Sequence, residues 1–425
     1  MEKFRYSVIF YIFFIFLSGA ILVTSCRKDD DIEPNIANQD FYKLMVDWYY
    51  WHDEMPRIDP QMYYSPYEVM EALRYKPLDR WSYITSKEEF EAYYKESKFI
   101  GYGFGSAFDQ DGKLRVSFIF NTSDMYLAGV RRSWIIEKIN GTNIQSGMNI
   151  NPMLGANESG VSNSFLFRRP DGSEVEMTIQ KKEVFMNSVL HEEVIEVGGT
   201  KVGYMVLKGF TNPTFEELDK TFEFFNSEGI DDLILDLRYN GGGQTDVANY
   251  LASIIGGEDL TAKPFARYIY NEKRAAQNFT DTFQDTPISL GLNRLITITS
   301  KGTASASEMV INGLSPFLPV IIIGDDTYGK PMGMNVFYKD TYAYVPVTFK
   351  IANTDNFGDY FDGLEADSYV ADDISLDFGD SEEASLKEAL YFIENGSFSG
   401  LTFKKSLFTQ PWELMTGLRA EIGSH

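Results

Sequence analysis

Between Leu295 and Met334 the chain reads LITITSKGTASASEMVINGLSPFLPVIIIGDDTYGKPMGM. Two β-branched apolar runs, Ile296–Thr299 and Val320–Ile323, bracket a helix-length segment. Strand, helix, strand in that order predicts a right-handed βαβ crossover in a parallel sheet. Ser305 then falls where the first loop enters the helix, and Lys330 in the loop after the second strand. Both lie at carboxyl ends of neighbouring strands, where open α/β sheets place their ligands. A hydroxyl at a helix N-terminus has free amides beside it to receive a developing oxyanion. A lysine backed by an apolar strand acts as a base if burial lowers its pKa by roughly 3 units from about 10.4. The same small residues also suit a tight strand-to-helix turn, so spacing alone leaves a purely structural reading open.

A second stretch has a similar form. Asp232-Leu-Ile-Leu-Asp-Leu-Arg238-Tyr-Asn-Gly-Gly-Gly243 is a buried strand running into three glycines, with a helix to follow from about Thr245 to Ile254. Glycines let backbone amides approach a reacting oxygen with no side chain in the way. Such a loop could also cradle phosphate, but Gln244 stands where a Walker lysine would be needed.

GTASASE, an apolar strand and then TYGK resemble the catalytic core of the carboxyl-terminal processing (tail-specific) peptidases. The resemblance implies Ser305, first serine of the SAS triplet, as nucleophile and Lys330, 25 positions on, as base. Ser307 is the competing nucleophile, ranked second because it lies two residues further into the helix. The LDLR-x-N-x-GG segment of the family implies one oxyanion amide at Gly242 or Gly243 and the other at Ala306. Asp236 and Arg238 read as structural pairing. Two positions depart from the family pattern: Met334 stands where some members carry a glutamine that orients the lysine, and Ala366 replaces a proline.

The leader sets the compartment. Lys3 and Arg5 precede an apolar run from Val8 to Phe16 that continues to Val23, the form of a secretory signal peptide or else of an uncleaved membrane anchor. Val23-Thr24-Ser25-Cys26 resembles the bacterial lipobox, which implies cleavage and lipidation at Cys26. Arg27-Lys28-Asp29-Asp30-Asp31 begins a charged tether and resembles the surface-export signal of Bacteroidetes lipoproteins. An outer-membrane lipoprotein facing the periplasm or the cell surface is therefore expected. Cys26 is the only cysteine, so no intramolecular disulfide forms. Its 62 acidic against 38 basic residues leave a net charge of −24, which argues against nucleic acid. The histidines are His52, His191 and His425, none near Ser305 in sequence, and neither HExxH nor paired histidines occur, so no metal or organic cofactor is expected.

The remaining chain divides into further segments. After the signal peptide (1–25) and acidic tether (26–38), residues 39–97 predict a small helical domain. Phe41, Leu44, Met45 and Trp48 keep helical spacing behind Asp40 as a candidate N-cap, and Ser65-Pro66 and Ser86 with Glu89 open two more helices. The aromatic cluster Trp48–Trp51 reads as core or an inter-domain seam. Residues 98–186 predict short strands, Arg115–Phe120, Trp134–Ile139, Ser164–Arg168 and Glu174–Gln180, separated by Asn-Gly and Asp-Gly turns. Gly101-Tyr102-Gly103-Phe104 resembles the Gly-Leu-Gly-Phe loop of PDZ domains, which implies amides that hold a peptide's terminal carboxylate while the peptide adds a strand. Residues 187–400 form the catalytic domain, with acidic, turn-rich loops at 356–367 and 372–380, and residues 401–425 remain an unassigned tail. The expected fold is thus a multi-domain α/β protein: a crotonase/ClpP-like βαβ core, a PDZ-like β-rich domain and a small N-terminal helical domain. The expected function is a secreted, lipid-anchored serine endopeptidase acting on protein or peptide substrates. A peptide-binding protein on the same fold without hydrolysis is the alternative, and a crotonase-like acyl-CoA enzyme is disfavoured by the export signal.

Overall fold

The computed structural model describes residues 36–400 and 408–425. The leader, Cys26, nearly all of the tether and residues 401–407 lie outside the described residues. Among the described residues no helix is long and apolar enough to cross a membrane.

A six-stranded sheet carries the site. Its order is Val189–Val197, Thr200–Leu207, Asp232–Asp236, Leu295–Thr299, Val320–Gly324 and Ser368–Tyr369. The first pair is antiparallel and every later pair parallel. Asp232–Asp236 and Leu295–Thr299 are buried at every position, as expected of parallel strands covered on both faces. One face packs on the helices Thr214–Glu228, Thr245–Gly256 and Ala306–Leu314 through residues such as Phe222, Leu251 and Val310. The other face is covered by Ala384–Asn395, where Leu386 and Ile393 meet Val206 and Ile298. The βαβ expectation holds: Leu295 pairs with Val320 and Thr299 with Gly324 in parallel register, around the Ala306–Leu314 helix.

Residues 98–186 contain the expected strands within two residues of their expected ends, as Leu114–Ile119, Ile135–Ile139, Ser162–Arg168 and Glu174–Gln180, beside Phe104–Phe108. Their inward faces close on an aromatic core of Phe104, Trp134, Phe165 and Phe167. A separate antiparallel sheet, Phe279–Thr282, Pro264–Tyr270, Val347–Ala352 and Met332–Met334, was not foreseen. Met334 is in its edge strand, so its side chain serves packing at that position.

The N-terminal helices are Ile36–Trp48, Pro66–Leu73 and Lys87–Glu96. Ser65 and Ser86 cap the latter two by accepting from the amides of Glu68 and Glu89. Asp40 is not an N-cap: the first helix already runs from Ile36, and the Asp40 carboxylate pairs with Lys339 at 3.3 Å. The aromatic cluster is a seam, with Trp48 against Phe337 (5.1 Å between ring centres) and the Tyr49 hydroxyl donating to Asp79 at 2.7 Å.

Candidate functional site

Ser305 occupies the turn from the Leu295–Thr299 strand into the Ala306–Leu314 helix at φ 58° and ψ −114°. A residue with a Cβ adopts this region only when its surroundings impose it, at a cost of about 1–3 kcal/mol. Here the turn is held on both sides. The Ser305 amide donates to Glu308 Oε2 (2.8 Å), and the Ser305 carbonyl accepts from the Met309 amide (2.8 Å).

The glycine loop lies directly against this turn. A Cβ on Gly242 would stand 2.7 Å from Ser305 Cβ and 3.0 Å from the Ala306 nitrogen, so only glycine allows the approach. The Gly242 amide donates to Asn240 Oδ1 (2.9 Å), while the Asn240 carbonyl accepts from the Ala304 amide and from Ser307 Oγ, each at 3.0 Å. The amides of Gly243 and Ala306 carry no hydrogen bond among the described residues, so these two are available to an oxyanion. Ser307 is fully buried and committed to Asn240.

Glu308 was absent from the residues singled out by sequence, yet it joins the two halves of the site. Its fully buried carboxylate accepts from four donors: the Ser305 amide, Thr327 Oγ1 (2.6 Å), the Gly329 amide (2.6 Å) and the Lys330 amide (2.8 Å). Burial raises its pKa, and these hydrogen bonds oppose the rise. The Ser-x-x-Glu spacing of a capping box is the signal that would have found it. The Tyr328 amide also donates to the Thr303 carbonyl (2.8 Å), fixing the lysine loop to the serine loop a second time.

Lys330 is 6% exposed at the carboxyl end of Val320–Gly324. Its ammonium donates to Glu421 Oε1 at 3.3 Å, and no hydrogen bond joins it to Ser305 Oγ. A cavity of about 870 Å³ adjoins, lined among others by Gly241, Ala304, Lys330, Leu418 and Glu421. Lys208, at the carboxyl end of Thr200–Leu207, is a further buried cation; burial pulls its pKa down to about 7.

Gly101–Phe104 stands at the edge of the 98–186 sheet. Tyr102 anchors the loop with a buried ring, and its hydroxyl accepts from Asn163 Nδ2. The amides of Tyr102 and Gly103 point to the main-chain oxygen of His425, at 2.7 and 2.8 Å. A Cβ on Gly101 would come within 2.9 Å of that oxygen. Asp236 and Arg238 are structural: Arg238 is enclosed by Asp236 (2.6 Å), Glu383 (2.7 Å) and Asp372 (3.0 Å), which also accounts for part of the acidic 372–380 loop. Cys26 lies outside the described residues.

A parallel sheet whose carboxyl edge gathers a strained serine, two free amides and a buried lysine is an α/β architecture suited to acyl transfer through a serine. The model of Peptidase family S41 matches residues 201–370, and that of the Peptidase S41 N-terminal domain matches residues 37–83. The chain belongs to peptidase family S41. It is 26% identical over 224 residues to the carboxy-terminal processing protease CtpB of Bacillus subtilis, 52% of this chain and 45% of that protein. It is 23% identical over 256 residues to a protein of Staphylococcus saprophyticus described as a CtpA-like serine protease, 59% of this chain and 49% of the other. The matches therefore span about half the length of these curated relatives. A crystal structure from Bacteroides fragilis NCTC 9343, assigned to the S41 proteases, superposes with a TM-score of 0.70 at 23% identity, covering 84% of this chain and 97% of that one, and shows the same fold.

Proposed function

We propose that the protein is a serine endopeptidase using a Ser305/Lys330 dyad. The observation that carries this reading is the Glu308 carboxylate, which accepts from the Ser305 and Lys330 amides at 2.8 Å each and so holds the two loops together. In the reaction, the Lys330 amine takes the proton of Ser305 Oγ as that oxygen attacks a peptide carbonyl carbon. The resulting oxyanion faces the Ala306 amide and that of Gly243, Gly242 being already engaged with Asn240. Collapse expels the amine, which receives the proton from Lys330, and leaves an ester on Ser305. Lys330 then deprotonates a water that hydrolyses the ester, releasing the carboxylic acid and restoring the serine.

The 98–186 sheet acts as a PDZ-like domain in this reading, its Gly101–Phe104 loop receiving the end of a polypeptide. Support comes from the two loop amides that converge on one main-chain oxygen. Cys26 is proposed as the lipid acceptor, on the lipobox-like sequence alone, giving an outer-membrane protein that meets protein or peptide substrates outside the cytoplasm. A second reading, peptide binding without hydrolysis, draws on the Lys330–Glu421 ion pair and on Met334. Casein hydrolysis by the chain from residue 27, beside Ser305→Ala and Lys330→Ala, separates them. Loss in both variants is expected; activity that survives Ser305→Ala overturns the dyad, and parent chains that bind peptide but never hydrolyse favour the second reading.

A further inference from the structure

Residues 408–425 return across the molecule and reach the lysine, the first glycine of the 241–243 loop and the Gly101–Phe104 loop. Gln410 brackets the strand Phe104–Phe108: the Phe108 amide donates to Gln410 Oε1 (2.8 Å) and Gln410 Nε2 donates to the Phe108 carbonyl (3.3 Å). Further along, Leu418 and Ile422 of the short helix Leu418–Ile422 bury themselves among Tyr83, Phe99 and Phe120. Between them Glu421 reaches the lysine. Its carboxylate accepts from Lys330 Nζ (3.3 Å), from the Tyr83 hydroxyl (3.2 Å) and from Tyr94, while its carbonyl accepts from the Tyr93 hydroxyl (3.2 Å). The same carbonyl lies over the glycine loop, 3.1 Å from where a Cβ on Gly241 would stand.

The segment then enters the Gly101–Phe104 loop. Ser424 Oγ and the His425 amide donate to the Phe104 carbonyl (3.0 and 2.8 Å), and the His425 oxygen accepts from the Tyr102 and Gly103 amides. The imidazole pairs Nε2 with Ser106 Oγ at 2.9 Å and lies 5.3 Å from the Phe104 ring. Burial, with Arg419 and Lys181 nearby, pushes its pKa down to about 3, so the ring is neutral. Main-chain pairing at a strand edge supplies affinity and the side-chain pockets supply selection, as in peptide capture by strand addition. An ammonium ion-paired to Glu421 has no lone pair with which to accept a proton.

We propose that the Gly101–Phe104 loop, Ser106, the Gly241–Gly243 loop and Lys330 form one continuous site for a peptide carrying glutamate four positions before a planar residue such as histidine, and that residues 410–425 are its intramolecular ligand, closing the site until displaced. The binding follows from the contacts themselves; the consequence for catalysis rests on the peptidase reading. A tethered ligand acts at an effective concentration near the millimolar range, so a free peptide must compete with it.

The test uses the full chain in detergent and a fluorescent synthetic peptide of residues 410–425. The double variant Glu421→Ala/Ser424→Asp removes the lysine's partner and sets a carboxylate against the Phe104 carbonyl. The peptide is expected to bind this variant about tenfold or more tightly than the parent, because less of the site is self-occupied. Acylation of Ser305 by a fluorophosphonate is expected to quicken about tenfold for the same reason. Should the double variant lose its fold by circular dichroism, Glu421→Gln, which keeps the shape and removes the charge, is read in the same assays. Equal peptide binding by parent and folded variant, or none to either, overturns the inference even where Ser305-dependent casein hydrolysis upholds the peptidase. Stronger peptide binding by the variant, with neither chain acylated nor hydrolytic, upholds the intramolecular ligand and overturns the peptidase.

Discussion

Ser305 combines a strained backbone with a capping-box partnership with Glu308, so its conformation is maintained by its neighbours. Ser305→Gly should therefore unfold with about 1 kcal/mol more free energy than Ser305→Ala, both inactive, because glycine accepts positive φ without cost. Equal stability in denaturant titrations would show that the turn carries no strain. Glu308→Gln places an amide group against donors that want an acceptor, so kcat should fall about 10- to 100-fold with KM little changed, since misplacement of about 1 Å costs that much. A change confined to KM would remove Glu308 from the positioning of the dyad. Lys208 tests burial. Its folded pKa of about 7 lies below the unfolded value of about 10.4, so between these pH values the unfolded chain binds the extra proton and stability rises with pH. The stability of the parent minus that of Lys208→Met should climb by about 1.4 kcal/mol per pH unit from pH 7 towards 10; a flat difference would mean Lys208 stays charged. Serine, lysine and glycines were legible because each sits in a local pattern of strand, loop and helix. Glu421 was not, since its meaning comes from a lysine 91 positions away.

At the scale of elements, the lysine loop is gripped from the N-terminal segment. Arg80 donates to the Tyr328 carbonyl (3.2 Å) and the Phe361 carbonyl (3.4 Å), and its guanidinium lies 4.6 Å from the Tyr328 ring centre. Arg80→Ala should speed hydrogen exchange at residues 327–330 by about tenfold, the loss of roughly 1.4 kcal/mol of local protection. Unchanged exchange there would mean that Glu308 and Thr303 hold the loop unaided. The parallel strands were readable because burial on both faces concentrates aliphatic and β-branched residues in them, and the two serine-capped helices because their signals lie within four residues. The sheet from Phe279–Thr282 to Met332–Met334 was not, since its register is set by pairings such as Arg267 with Ala352, far apart in the chain. Asp40 was misread because the helix continues to Ile36, and a charged residue at its polar face looks the same as a cap.

Over the whole molecule, the N-terminal helices, the central sheet and residues 408–425 meet around one cleft. Asn271 Nδ2 donates to the Tyr49 carbonyl (2.9 Å) and the Tyr50 amide to the Val347 carbonyl (2.9 Å), so the first unit is seated on the sheets that flank the lysine. Three segments remote in sequence thereby fix one lysine, through Arg80, Glu308 and Glu421. The measurement that bears most directly on the dyad is mass-spectrometric mapping of the adduct left by a fluorophosphonate on the full chain, followed over time in the parent and in Lys330→Ala. The expected result is a single adduct on Ser305, forming about 100-fold more slowly or not at all without Lys330, in keeping with the contribution of a positioned general base. An adduct on Ser307, or labelling of Ser305 at the same rate in both chains, would contradict it.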